Sequence, residues 1–220
     1  MNDNRDRLRL YLVTDRDLAL GRPLVDVVLA AVAGGVTAVQ VREKGLGGRA
    51  FLAEVRALAA ALAGSGVPLI VNDRVDVALA TGADGAHVGQ EDLPAAEARR
   101  LLGPDRLLGV SVATAVEARA ALADGADHVS VSPVFLTPTK PDADRSVGLE
   151  GVTRIRRAIG DAPLIAIGGI SAANARQVIL AGADGVAVVS AVMSAPDPEA
   201  EARALSAEIA AGLAARRRSR

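Results

Sequence analysis

The sequence predicts an α/β protein, a (β/α)8 TIM barrel in a single domain. Three observations carry that prediction. Short apolar runs alternate with longer amphipathic ones eight times, a Gly-Ala-Asp turn recurs between helix and strand, and no shift in composition marks a second domain. A chain of 220 residues, half of them hydrophobic, is enough for one barrel with a large core. Only 1% are aromatic, so Ala, Val, Leu and Ile must fill it.

The strand-like runs are Leu8–Asp15, Ala38–Lys44, Leu69–Asp73, Gly85–Gly89, Leu107–Val112, His128–Val134, Leu164–Gly169 and Gly185–Val192. They are short, and several are rich in Val or Ile, as buried parallel strands are. Helical stretches lie between them, among them Pro23–Ala33, Arg49–Ala63, Pro94–Leu102, Ala115–Ala123, Leu149–Ile159 and Ala172–Ala181. Pro198–Ala215 closes the series. The turn recurs as Gly82-Ala83-Asp84, Gly125-Ala126-Asp127 and Gly182-Ala183-Asp184, before strands four, six and eight. Each glycine suits a helix C-terminus that needs positive φ. One domain is expected over 8–215, with flexible tails at 1–7 and 216–220. The terminal Arg216-Arg217-Arg218 reads as a solvated tail rather than a binding site.

Charge is balanced, with 25 Lys+Arg against 26 Asp+Glu. A protein that grips the nucleic-acid backbone needs a basic face, so no nucleic-acid partner is expected. Cysteine is absent, which removes disulfides, thiolate metal sites and thiol nucleophiles. The charged N-terminus has no apolar signal core, and no apolar run reaches the roughly 18 residues of a membrane span. A cytoplasmic enzyme with no membrane partner is expected; a homo-oligomer is left open.

In such barrels the chemistry sits at the C-terminal strand ends. Strand two ends Gln40-Val41-Arg42-Glu43-Lys44, and its two-residue period puts Gln40, Arg42 and Lys44 on one side and the valines on the other. An arginine fork beside an ammonium suits a pyrophosphate. Asp73 ends strand three and Asp92 follows strand four. Two hard carboxylates beside a phosphate-binding cluster describe a Mg2+ site, with Asp92 as a helix cap the competing reading. Strand five ends in Ser111, which no Gly-x-Ser-x-Gly surrounds and for which no cluster with histidine is indicated. Glycines at 168 and 169, and the end of strand eight at Val189-Ser190, suit a second anion site without metal. Gly45-Leu46-Gly47-Gly48-Arg49-Ala50 matches a dinucleotide fingerprint, but the charged residues before it make it a βα loop. His87 and His128 read as structural, and His128 lies at the far end of its strand.

Six motifs together resemble the thiamine phosphate synthase family: Gln40-Val41-Arg42-Glu43-Lys44, Asn72-Asp73-Arg74, Gly85-Ala86-His87-Val88-Gly89-Gln90-Glu91-Asp92, Gly109-Val110-Ser111, Thr137-Pro138-Thr139-Lys140 and Ile167-Gly168-Gly169-Ile170. The resemblance implies a transferase of thiamine biosynthesis. It would join 4-amino-5-hydroxymethyl-2-methylpyrimidine diphosphate to a thiazole phosphate carboxylate, giving thiamine phosphate, pyrophosphate and CO2. By position it implies that Gln40, Arg42, Lys44, Asn72, Ser111 and Lys140 hold the pyrimidine diphosphate, with Arg42 and Lys140 catalytic. It places Mg2+ on Asp73 and Asp92, and the thiazole phosphate on Thr137, Thr139, Gly169, Val189 and Ser190. This chain departs from the family pattern at Ser132 and Leu136, and at Val189 conservatively. A related thiazole tautomerase would need neither the strand-two cations nor the acid pair.

Overall fold

The computed structural model describes residues 4–137 and 146–218. Eight parallel strands close into a barrel in sequence order, β1 pairing with both β2 and β8. A short helix α1 (Asn4–Arg7) leads into β1 (Leu10–Val13); a 3-10 turn (Asp17–Ala19) and α2 (Leu24–Ala33) follow. Then come β2 (Ala38–Val41), α3 (Gly48–Leu62), β3 (Leu69–Asn72), α4 (Val75–Thr81), β4 (Gly85–Val88) and α5 (Ala95–Leu102). The second half runs β5 (Leu107–Val112), α6 (Ala115–Ala123), β6 (His128–Val131), α7 (Gly148–Ile159), β7 (Leu164–Ile167), α8 (Ala175–Leu180) and β8 (Gly185–Val188). A helical turn α9 (Ser190–Met193) and the long α10 (Pro198–Arg218) complete the chain.

Strand alternation divides the apolar residues between two cores. Leu10, Leu12, Val39 and Val41 point outwards into the layer between barrel and helices. Tyr11, Val13, Ala38, Ile70 and Ile165 point inwards. Burying a side chain of Val, Leu or Ile is worth about 1.5–3 kcal/mol, so the outer layer, which holds most of them, carries most of the stability. The inner core also accepts polar groups. Gln40, His87, His128 and Ser130 are all buried.

The recurrent Gly-Ala-Asp turns have one physical purpose. Each glycine terminates a helix at positive φ, 69° at Gly82, 95° at Gly125 and 122° at Gly182. Each aspartate side chain then accepts a backbone N–H from the first or second residue of the neighbouring strand. Asp84 takes Leu69 N at 2.8 Å, Asp127 takes Leu108 N at 2.7 Å and Asp184 takes Leu164 N at 3.1 Å. Strand starts that would otherwise lack a partner are thereby closed.

Two expectations change, and one element is added. The apolar run from Gly185 does not continue as strand to Val192, because the chain turns into α9 at Ser190. A helix the sequence reading did not name, α4, follows β3. Arg216, Arg217 and Arg218 form the last turn of α10, three residues past the expected boundary, and Asn4–Arg7 is helical.

Candidate active site

The C-terminal mouth of the barrel opens into a cavity of about 760 Å³, within the range of small-molecule sites. Its lining brings together Gln40, Arg42, Lys44, Asn72, Asp73 and Asp92. Ser111, Thr137, Gly169, Val189 and Ser190 line it as well. Thr139 and Lys140 lie outside the described residues.

On β2, Gln40 faces inwards and is 4% exposed, donating from Nε2 to the Tyr11 hydroxyl at 3.0 Å. Burial raises the Tyr11 pKa, so this phenol stays protonated. Above Gln40 the strand ends are zipped. Arg42 N donates to Thr14 Oγ1 at 3.0 Å, and that hydroxyl donates to Glu43 at 2.8 Å. Glu43 also accepts from Arg16 N at 3.1 Å. Glu43 thus faces β1 while Arg42 and Lys44 face the cavity, as the two-residue period predicts.

Asp73 takes a left-handed conformation, φ 60°, directly after β3. Asp and Asn tolerate that region better than other side-chain-bearing residues. The backbone is held there by Asp73 N donating to His87 O at 2.8 Å and by Val75 N donating to Asp73 O at 3.1 Å. Asp92 reaches the same spot from the loop after β4, its Oδ2 accepting from Gly89 N at 2.7 Å. It does not cap α5, whose N-cap is Pro94 with no side-chain hydrogen bond. The two carboxyl groups lie close enough to act on each other. Burial, then the hydrogen bond and charge of Asp92, push Asp73 up from 3.8 to about 6, while Lys44 and Arg42 pull it back down.

That arrangement fits a divalent cation. Two facing carboxylates that repel each other as charges would be relieved by a shared ion. Among the described residues no group of three or more His, Cys, Asp or Glu gathers around one point. The remaining ligands of such an ion would therefore come from water or a bound ligand.

Ser111 has a histidine beside it, contrary to expectation. His87 Nε2 lies 2.9 Å from its Oγ, and Gln90 Nε2 donates to its carbonyl at 2.7 Å. His128 starts β6 yet packs inside the barrel, edge-on to Tyr11 and 5.9 Å from the His87 ring. Neither of its ring nitrogens has a hydrogen-bond partner among the described residues, and burial lowers its pKa to about 4. Gly109 makes room for both rings: a Cβ there would meet His87 Nδ1 at 2.3 Å and His128 Nε2 at 2.4 Å. Alternation along β4 and β6 was the signal that could have placed these histidines inwards.

The opposite wall is a pair of interlocked loops. Val134 N donates to Ile167 O at 2.9 Å and Phe135 N to Gly168 O at 3.0 Å. Gly168 and Gly169 have φ of 108° and 64°, and a Cβ on either would strike Pro133 or Phe135. Glycine is required there both for conformation and for close approach. Ser190 begins α9 on the same wall, so its backbone presents a helix start towards the cavity. Leu136 stands at the rim, 68% exposed.

Comparison with known proteins agrees with this geometry. Residues 10–192 match the family model for thiamine monophosphate synthase. The thiamine-phosphate synthase of Roseiflexus castenholzii is 56% identical, over 89% of this chain and 86% of that one. That of Albidiferax ferrireducens is also 56% identical, over 87% of each chain. The solved structure of thiamine phosphate pyrophosphorylase from Pyrococcus furiosus superposes with a TM-score of 0.88 at 39% identity, covering 96% of this chain and all of that one. The fold, the assembled cavity and these near-full-length likenesses together make the chain a member of the thiamine monophosphate synthase family.

Proposed function

We propose that this chain condenses the diphosphate of 4-amino-5-hydroxymethyl-2-methylpyrimidine with a thiazole phosphate carboxylate, releasing pyrophosphate, CO2 and thiamine phosphate. The carrying observation is convergence. Cations from the end of β2 and an acid pair from the end of β3 and the loop after β4 line one cavity, where Asp92, Lys44 and Arg42 all act on the Asp73 carboxyl.

The electrophilic carbon is a CH2 on an electron-rich aminopyrimidine, so its C–O bond breaks early and charge gathers on the departing diphosphate. Arg42 and Lys44, with Lys140 from the loop after β6, stabilise that charge. Asp73 and Asp92 would hold Mg2+, which when bound supplies charge neutralisation at the same oxygens. Gln40 is fixed by Tyr11 and offers its carbonyl oxygen to the pyrimidine amine. Ser111, oriented by His87, sits across the cavity from it. Thr137, Thr139, Gly169, Val189 and Ser190 hold the thiazole phosphate, whose ring nitrogen attacks the cationic carbon. No covalent nucleophile is required. Among the described residues, no helix is long and apolar enough to cross a membrane; we place the enzyme in the cytoplasm.

Incubation with both substrates and Mg2+ tests this reading. Thiamine phosphate and pyrophosphate should appear in equal amounts. Failure to form thiamine phosphate would overturn it.

A further inference from the structure

The face of the barrel opposite the candidate active site carries a second, charged cleft of about 160 Å³, roughly the space of five waters. Five guanidiniums line it, from Arg5, Arg9, Arg156, Arg216 and Arg217. Three carboxylates, Asp6, Asp161 and Asp184, oppose them, leaving a positive excess in a chain of net charge −1.

The barrel contains its own control for how many arginines this position needs structurally. Arg99 of α5 donates to Gly125 O at 2.9 Å, Gly103 O at 2.7 Å and Arg106 O at 2.8 Å, and pairs with Asp127. Arg156 of α7 repeats the pattern, donating to Gly182 O at 2.8 Å, Gly160 O at 2.6 Å and Ala162 O at 2.8 Å, and pairing with Asp184. In both brackets one arginine ties two αβ turns together and answers the aspartate that closes a strand start. Asp127 needs nothing more: Arg99 is its one ion-pair partner among the described residues.

At Asp184 the bracket is over-supplied. Arg216 adds a second ion pair at 2.9 Å, and also donates to Ile179 O and Ala183 O. The Arg5 guanidinium lies 3.7 Å from the same carboxylate and reaches the Asp161 carbonyl. Arg9 pairs with exposed Asp6 at 2.6 Å, and Arg217 forms no ion pair among the described residues. Part of this charge complements the carbonyl ends of α7 and α8. Arg9 and Arg217 do not serve that purpose. The crowding is also felt by Arg156, whose pKa is lowered chiefly by burial, with Arg216 and Arg5 adding to the drop.

We propose that this lower cleft binds a phosphate-type oxyanion, the Arg9 and Arg217 forks closing over it above the Asp184 bracket. Guanidinium forks match phosphate oxygens in pairs. The cleft joins α1 and the start of β1 to the ends of α7 and α10, so an anion there would brace the β8–β1 seam where the barrel closes. The proposal is independent of the chemistry assigned to the opposite face.

The experiment titrates inorganic phosphate and, separately, pyrophosphate into an Arg42→Ala protein, in which the upper site is weakened. The same titrations follow in Arg42→Ala carrying Arg9→Gln and Arg217→Gln. The first protein should bind at least one of the two anions, and the added substitutions should weaken that binding about tenfold, as loss of charge-assisted forks does. Preference for pyrophosphate would mark the reaction product as the source; equal binding would mark phosphate in general. Arg42→Ala with Arg217→Gln alone, changed at an exposed position, should show a smaller weakening in the same direction. Equal affinity with and without the lower-cleft substitutions, or no binding in Arg42→Ala, would overturn the proposal.

Discussion

Replacing Asp73 by asparagine should stabilise the protein in the absence of divalent ions while removing one of the two proposed metal ligands. Asparagine accepts the left-handed backbone that position 73 requires, so the substitution isolates the charge. The Asp73 carboxyl is pushed from 3.8 to about 6 by burial and by Asp92. That is a rise of about two units at about 1.36 kcal/mol each, a ceiling near 3 kcal/mol. The side chain is half-buried, and solvent screening reduces the expected gain to about 1–2 kcal/mol. For a chain of this size that raises Tm by roughly 3–6 °C. The pH dependence fixes the cause. An acid with a raised folded pKa contributes stability that is complete below its unfolded value and lost as pH rises through its folded value. Wild type therefore loses this contribution between about pH 4 and pH 6, and the mutant does not. Melting curves in chelator should show the full advantage of the mutant above pH 6 and almost none near pH 4. An advantage that persists unchanged at pH 4, or a mutant less stable at pH 7.5, would refute the charge argument.

Arg42→Ala and Lys140→Ala should each lower turnover by about a hundredfold or more, the loss expected for a key electrostatic donor; steady-state assays showing near-wild-type rates would contradict the role. Gly109→Ala should destabilise by about 1–3 kcal/mol through overpacking against His87 and His128, and should also slow turnover, because the imidazole must move off Ser111; denaturant melts and kinetics read the two effects. The Mg2+ concentration for half-maximal activity should rise as pH falls through about 6, because the ion must displace the proton that Asp73 then binds; a Mg2+ titration indifferent to pH from about 5 to about 7, a span of about two units around the raised value, would count against it.

Much of this architecture was legible as pattern. The starts of β2 to β8 fall where apolar runs follow Gly-Ala-Asp or a helix stop, because the aspartate and the glycine are each demanded by local backbone geometry. Strand ends were harder to read. Val192 and Met193 are apolar because they are the buried side of α9, and a short apolar run does not distinguish strand from helix. The β2 cations, Asp73 and Asp92 were legible because such groups at strand ends have little structural use. The inward packing of His87 and His128 was open to the two-residue alternation of β4 and β6, but the His87–Ser111 pair was not. That pair depends on the barrel's stagger, which sets β4 against β5 with His87 opposite Gly109 and Ser111 one inward step higher. The lower arginine cleft was hidden for a similar reason. It gathers residues from both ends of the chain, and a C-terminal arginine run looks the same in sequence whether it ends in solvent or closes a helix over Asp184.

The dependence of turnover on a divalent ion tests the central claim most directly. With both substrates present and metal stripped by chelator, the account predicts that pyrophosphate release nearly stops and returns on adding Mg2+. Release at an undiminished rate in the stripped enzyme would contradict it.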